Sequence, residues 1–343
     1  MGGCPCLAPQ RAPRPALSRG FPAVLLWASA LIVLGLPHAL TGMGQGRPEV
    51  EDAHHSSERD APAGRSEATL RLSQLVREER WSEAAELAEQ LVQELPHDPM
   101  VFYWLGEARL HLDNPIGSIQ ALRSAERLGL DTRFLHEALG TAYYTVYQFK
   151  LFEEQMNKVI QIDPRASRPW YNLGRYYESA RSDLSGALKF FEKAKELDPE
   201  DEKSWAHIGY CLEASGRTEE AHRAYAAAIT LVERKRERLS LPYQGLARLS
   251  LEAEPERALD FAHKAVQMEP NSDSNRLVLA KVYQRLGKLS EAVAELREAI
   301  RLNPTNLAPR HVLARIYTRL GKAEAAQAEM RMIEEISSVY GVR

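Results

Sequence analysis

The pair His136-Glu137 is the strongest candidate for metal-dependent chemistry in this sequence. A zinc protease uses two histidines four positions apart on one helix face, with a glutamate after the first one as general base. Gly140 stands where the second histidine is needed, so a zinc ion would lack a ligand. The sequence also has no glycine-rich phosphate loop and no G-x-S-x-G nucleophile turn. We therefore expect a protein that is not an enzyme, with no catalytic, cofactor-binding or metal-binding residue.

Other reactive side chains have simpler explanations. His54-His55 lie side by side in a polar segment with no further ligand nearby, so we expect them to be solvated. The acidic pairs Glu153-Glu154 and Glu334-Glu335 fit exposed helix faces. After residue 6, the chain has one cysteine, Cys211, which cannot form an internal disulfide by itself. Helix packing must therefore supply the stability.

A pattern that returns about every 34 residues must position all of these side chains. Its clearest copy begins at Ser167 and combines Trp170, the pair Leu173-Gly174, Ala187 and a closing Asp198-Pro199. The closing proline recurs as Pro96, Pro164, Pro199, Pro270 and Pro304, with Leu130 and Glu233 in the two remaining places. The chain is therefore a repeat protein.

Each copy of the pattern predicts two packed helices joined by a turn. Apolar residues recur at helical spacing between the landmarks. Gly216, Gly287 and Gly321 lie where the first helix must end and reverse, which suits a residue free to adopt positive φ. Close approach of the two helices requires small side chains in the second helix. The residues at that position are Ser118, Phe152, Ala187, Ala221, Ala258, Ala292 and Ala326, of which only Phe152 is large.

The period and the order of aromatic, small, alanine and proline positions resemble the tetratricopeptide repeat (TPR) family. This resemblance implies an all-α fold, a right-handed superhelical solenoid of about eight helix-turn-helix repeats. We expect the solenoid over 66–343, with repeats at about 66–98, 99–132, 133–166, 167–201, 202–235, 236–272, 273–306 and 307–340. The first repeat is atypical, as terminal repeats often are because one face meets water.

The resemblance also implies a binding site, because first helices in this family line a concave groove that holds a peptide or a partner helix. The candidate groove residues are Tyr103, Glu107, Tyr144, Tyr171, Arg175, Tyr210, Arg248, Lys281, Arg285, Arg315 and Arg319. Tyrosines dominate the N-terminal half and suit contact with protein, because each has a large rigid face and one polar tip. The basic C-terminal half would attract an acidic segment. Alternatively, the tyrosines fill contacts between repeats and the arginines are solvated.

The carboxylate clamp of chaperone-binding family members is not reproduced here. Asn172 and Lys203 match two positions of that clamp, but Glu137, Thr141 and His207 occupy the other three. An acid in place of a lysine opposes carboxylate binding. We therefore do not expect this activity.

The charged run Glu233 to Arg238 interrupts the period. It is either a basic patch for a polyanion or a solvated helix extension. The alternation of acids and bases favours the extension.

The N-terminal 44 residues have the layout of an export signal. Arginines without acids precede an apolar run from Phe21 to Leu36, and acids follow it. This charge bias places the repeats outside the cytoplasm, either periplasmic or secreted, or membrane-anchored. The run is long for a cleaved signal core and short for a membrane span, so residues 1–44 are a signal peptide or a retained anchor. Residues 45–65 are polar and predict a flexible linker.

The balanced charge of the chain limits the possible partners. A formal net charge of −3 gives no basic excess for nucleic acid, and membrane contact is expected only through the N-terminal apolar run. These observations favour a non-catalytic protein-interaction scaffold outside the cytoplasm that binds a peptide or partner protein. Two alternatives stay open: a carrier or sensor for a ligand such as an acidic glycan, and an accessory subunit of an envelope enzyme or assembly complex.

Overall fold

The computed structural model describes residues 67–340. The predicted signal or anchor (1–44) and the predicted linker (45–65), with His54-His55, lie outside the described residues. No helix within the described part of the chain is long and apolar enough to cross a membrane.

Sixteen helices and no strand make up residues 67–340. The helices are α1 (Glu67–Arg77), α2 (Trp81–Glu94), α3 (Pro99–His111), α4 (Pro115–Arg127), α5 (Arg133–Thr145), α6 (Phe149–Ile162), α7 (Arg168–Ser179), α8 (Leu184–Leu197), α9 (Glu202–Ala214), α10 (Thr218–Lys235), α11 (Leu241–Ser250), α12 (Pro255–Met268), α13 (Asp273–Arg285), α14 (Leu289–Leu302), α15 (Leu307–Arg319) and α16 (Ala323–Tyr340). Consecutive helices pack as eight antiparallel pairs, numbered here as repeats 1 to 8. The predicted all-α solenoid of helix-turn-helix repeats is confirmed.

Side-chain caps and prolines set the ends of the helices. The Asp98 side chain accepts a hydrogen bond from the Met100 backbone N–H at the start of α3, and Asn306 caps α15 in the same way. At the other end, α8 stops at Leu197, just before Asp198-Pro199, because proline disfavours helical geometry in the residue before it. Most of the helices are about three to four turns long, whereas α10 and α16 have 18 residues each, or about five turns.

In seven of the eight repeats, the turn inside the repeat contains one residue in the left-handed conformation. Gly216, Gly287 and Gly321 have φ values of 75°, 75° and 69°, as their positions predict. In repeats 1 to 4 the same place is taken by residues other than glycine, and these are Glu79, Asp113, Tyr147 and Ser182. The geometry of the turn is thus common to seven repeats although its sequence is not.

The two helices of a repeat touch where a glycine faces a large side chain. A Cβ atom placed on Gly174 would lie 2.6 Å from the Phe191 ring. In repeat 5 the Tyr225 ring packs between Gly209 and Gly245. Phe152, the large residue among the small positions, is buried and packs edge to face against Tyr144 and Tyr176. Repeat 3 therefore replaces a small contact by an aromatic cluster.

The charged run that interrupts the period is a helix extension. Helix α10 continues to Lys235, whose ammonium group lies 2.8 Å from Glu202, while Arg234 pairs with Glu200 at 2.8 Å. Arg236 then ends the helix in the left-handed conformation. Because acids next to α9 pair with these two cations, the run does not present an open basic patch.

Candidate binding groove

The inner face of the solenoid is formed by the first helices of the repeats. Adjacent first helices pack on one another, for example α3 on α5, α9 on α11 and α11 on α13, and no comparable contact joins two second helices within residues 67–340. All of the predicted groove residues lie on first helices: Tyr103 and Glu107 on α3, Tyr144 on α5, Tyr171 and Arg175 on α7, Tyr210 on α9, Arg248 on α11, Lys281 and Arg285 on α13, and Arg315 and Arg319 on α15. Their role in binding stays a prediction.

Three of these residues, Tyr103, Glu107 and Tyr144, line one cavity of about 260 Å³ on the inner face. We call it the α3–α5 cavity. Its other lining residues include three that the sequence analysis did not assign to the groove, namely Phe134, Glu137 and Arg168. Glu137 lies one period after Tyr103 and one before Tyr171, so comparison of equivalent repeat positions was the signal that could have found it.

The carboxyl groups in this cavity have unusual acidity. Burial raises the pKa of Glu107 to about 7, although Arg168 acts to lower it, and Glu137 adds to the increase. Burial also raises the pKa of Glu137, against the opposing charges of Arg168 and Arg133. The Arg168 guanidinium lies 3.9 Å from the Glu137 carboxylate, too far for a hydrogen bond.

The tyrosines in the middle of the groove mainly fill space between repeats. Tyr144 and Tyr171 are each only 8% exposed. The Tyr144 hydroxyl lies within hydrogen-bond distance of Ser179, and Tyr171 accepts a hydrogen bond of 3.3 Å from Arg175. Tyr210 is partly buried, and burial raises its pKa, with a further increase from Glu178. Tyr144 and Tyr171 therefore offer little exposed surface to a ligand.

Two cations of the predicted basic half are neutralised by acids of the preceding repeat. Arg248 donates two hydrogen bonds to Glu213, of 2.6 and 2.8 Å. Arg285 pairs with Glu252 at 3.0 Å on the surface. The basic character of this half therefore depends on fewer side chains than the sequence indicates.

The remaining cations are Lys281, Arg315 and Arg319, which we call the basic patch. None of the three forms a salt bridge within residues 67–340, and Arg315 and Arg319 are exposed. Burial lowers the pKa of Lys281, and the charges of Arg248 and Arg315 lower it further. Of these two arginines, Arg248 is paired with Glu213, whereas Arg315 forms no salt bridge with another described residue.

A metal centre finds no support in the described residues. Across 67–340 there is no group of three or more His, Cys, Asp or Glu side chains that could hold a metal ion. His136 is buried, and its ring nitrogens lie 2.7 Å from Gln155 and from Asp131. The two side chains of the candidate pair therefore lie in different places, because His136 packs in the core and Glu137 lines the α3–α5 cavity.

Comparison with protein families gives three matches. Sequence models described as tetratricopeptide repeat match residues 72–129 and 167–201. A model of subunit 3 of the anaphase-promoting complex, or cyclosome, matches residues 255–332. No curated protein sequence matches the chain significantly.

Solved structures of helical repeat proteins resemble the chain in fold. The APC/C hetero-tetramer Cut9-Hcn1 is 13% identical, with a TM-score of 0.59, and the match covers 88% of this chain and 59% of that one. PilF of Pseudomonas aeruginosa is 20% identical, with a TM-score of 0.53 over 63% of this chain and 97% of that one. The C-terminal part of a TPR repeat-containing protein from Cytophaga hutchinsonii is 15% identical, with a TM-score of 0.53 over 68% and 95%.

Proposed function

Since the chain belongs to the tetratricopeptide repeat family, we propose that it is a non-catalytic protein-interaction scaffold that acts outside the cytoplasm and binds a partner protein along the inner face. One solved structure of similar fold, Cut9-Hcn1, is a hetero-tetramer, which supports a role in assembly. The chemistry of the inner face supports the same role, because it combines aromatic rings with separate charged groups.

The basic patch is the observation that carries the proposal. Lys281 is partly buried, and the charges of Arg248 and Arg315 add to the effect of burial in lowering its pKa, so a carboxylate placed there would relieve repulsion as well as gain attraction. Arg315 and Arg319 follow one turn apart on α15 and extend the positive surface. We propose that an acidic segment of the partner lies across α13 and α15.

The sequence of the N-terminus supports the extracytoplasmic setting. Arginines precede the apolar run from Phe21 to Leu36 and acids follow it, a charge bias that directs the following chain outward. A C-terminal reporter that is active only outside the cytoplasm should be active when fused to the full-length chain. The mass of the mature protein then distinguishes a cleaved signal from a retained anchor. An inactive reporter, with full expression of the fusion, would contradict the setting.

Binding is tested with a fluorescent acidic peptide and with affinity capture by the full-length chain. We expect a glutamate-rich peptide to bind and its glutamine counterpart not to bind. The double variant Arg315→Glu and Arg319→Glu should bind the acidic peptide at least about tenfold more weakly, because attraction becomes repulsion. A captured partner should be lost from this variant as well.

The matched control has the same change in net charge on second helices. Arg223 on α10 and Arg331 on α16 are exposed, so Arg223→Glu with Arg331→Glu should retain binding. Equal loss in both double variants would mean that only overall charge matters. Unchanged binding in the inner-face variant would remove the basic patch from the site.

A further inference from the structure

The α3–α5 cavity has a composition opposite to that of the basic patch. Among the described residues that line it, the acidic ones are Glu107, Glu137 and Asp113, and one arginine, Arg168, contributes a guanidinium group. Aromatic rings of Tyr103, Phe134 and Tyr144 form part of the wall. A ligand in this cavity would therefore meet carboxylates and ring faces together.

The polar groups of the cavity have unused bonding capacity. Neither the Glu107 carboxyl nor the Tyr103 hydroxyl forms a hydrogen bond or ion pair with any of the residues 67–340. Both residues are half-buried, so their polar groups are partly removed from water without gaining a protein partner. Two such groups that line the same cavity leave room there for a hydrogen-bond donor that residues 67–340 do not provide.

The volume of the cavity and the charges that line it indicate what kind of donor it can bind. Sites for drug-sized ligands occupy roughly 300 to 1000 Å³, so a cavity of about 260 Å³ suits a single long side chain. An anion would be repelled by Glu107 and Glu137. A metal ion would need further ligands, and the described residues contain no group of three suitable ones. A cation on an organic side chain satisfies the carboxylates and can also lie on the Tyr103 ring.

We propose that the α3–α5 cavity holds a protonated lysine or arginine side chain of the partner protein. This inference rests on the proposed function, since it assumes a partner along the inner face. It identifies a second contact with the partner, which lies in repeats 2 to 4, whereas the basic patch lies in repeats 7 and 8. A partner segment would then place a basic residue at repeats 2 to 4 and acidic residues at repeats 7 and 8, which fixes the direction in which it lies.

Binding of a cation at this site depends on pH near neutrality. The titratable and charged groups that line the cavity with Glu107 are Tyr103 and His111 from its own helix, Glu137 from α5, Arg168 from α7 and Asp113 from the turn. Burial lowers the pKa of His111, against the opposing charge of Glu79. The ligand requires ionised Glu107, whose pKa is about 7, so affinity should rise about tenfold from pH 6 to pH 8. Well below pH 7, binding releases close to one proton from Glu107, and at pH 8 it releases almost none.

The test uses the full-length chain and peptides that join an arginine to the glutamate-rich probe through glycine-serine spacers of several lengths, in both chain orders. The neutral isostere citrulline replaces arginine in the control peptides, and lysine is compared with acetyl-lysine. We expect the charged versions to bind at least fivefold more tightly at pH 8 for one order and spacer length. The advantage should shrink at pH 6.

Variants of the cavity residues test whether the stronger binding of the charged peptides arises in the α3–α5 cavity. Glu107→Gln should remove both the advantage of the charged peptide and its pH dependence, whereas Glu154→Gln, an exposed acid on α6, should retain both. Circular dichroism confirms that each variant is folded. Glu137→Gln should weaken the advantage while retaining the pH dependence due to Glu107.

The outcomes separate this inference from the proposed function. If the glutamate-rich part binds but arginine adds nothing at any spacer length, the cavity does not hold a basic side chain and the scaffold proposal stands. If the glutamate-rich part does not bind, acetyl-arginine amide and acetyl-citrulline amide are titrated alone and followed by NMR shifts of α3 and α5. Equal shifts from both compounds would overturn the inference, and shifts from the arginine compound alone would support it.

Discussion

Replacing Glu107 by glutamine is expected to stabilise the fold at pH 8 and to leave its stability unchanged near pH 4. The folded protein holds the Glu107 proton more tightly than the unfolded chain does, because burial raises the pKa from 4.5 to about 7. Stability is therefore present in full below pH 4.5 and is lost as the pH rises through 7. At about 1.4 kcal/mol per pKa unit, the gain at pH 8 is on the order of 3 kcal/mol.

Urea unfolding of the two proteins at pH 4, 6 and 8 measures this difference. Glu154→Gln is the control, since Glu154 is exposed and its replacement should change the free energy of unfolding very little at any of these values. A Glu107→Gln protein that is no more stable than the wild type at pH 8 would show that the carboxyl group is well solvated. A residue that lowers the free energy of unfolding when no partner is bound is typical of a binding site.

At the scale of helices, the contact between Gly174 and the Phe191 ring controls how closely α7 and α8 pack. Gly174→Ala is expected to destabilise the fold by about 1 to 3 kcal/mol, because the new methyl group would lie 2.6 Å from the ring. Shortening the opposing residue with Phe191→Leu should recover part of this loss in the double variant, as a thermal denaturation cycle can show. Strictly additive effects would mean that the two side chains do not limit each other.

The turns offer a second test, in which packing against other residues plays no part. An added Cβ on Gly287 would meet no atom within 4 Å, yet its φ is 75°. Gly287→Ala should therefore destabilise the fold by about 1 kcal/mol, through backbone conformation alone. Lys288→Ala, at the next position, should change the melting temperature much less. An equal effect of the two substitutions would contradict the role assigned to the turn.

Over the whole molecule, the sequence predicts the structural features that every repeat shares, but it does not predict the contacts in which individual repeats differ. The 34-residue period, the prolines and the glycines at 216, 287 and 321 are local signals, and they predict the helix pairs correctly. Tyr147 adopts the same left-handed turn without glycine, because the surrounding repeat imposes it. The predicted groove residues do lie on first helices. Whether a basic groove residue is neutralised, however, depends on acidic side chains of the neighbouring repeat. The pairing of Arg248 with Glu213 could not be predicted from the sequence, because it depends on how α9 packs against α11.

That pairing links repeats 5 and 6, so its loss should affect the cooperativity of the array. Glu213 accepts hydrogen bonds from Arg248 and, at 2.7 Å, from the Tyr225 hydroxyl. Glu213→Ala leaves the Arg248 guanidinium partly buried with less compensation, and we expect a loss of about 2 to 3 kcal/mol. Glu252→Ala is the matched control, because Glu252 also pairs with an arginine of the next repeat but is 80% exposed, so the loss should be below about 1 kcal/mol.

Hydrogen exchange followed by mass spectrometry shows where protection is lost. Because each repeat contacts only its neighbours, a weakened junction divides the array into two cooperative parts. In Glu213→Ala, protection should decrease first in α9 to α12, and thermal unfolding should separate into two steps, with repeats 6 to 8 unfolding apart from repeats 1 to 5. The Glu252→Ala protein should unfold like the wild type. A uniform decrease along the chain, or equal effects of both variants, would mean that this junction is no weaker point than any other and that apolar packing alone couples the repeats.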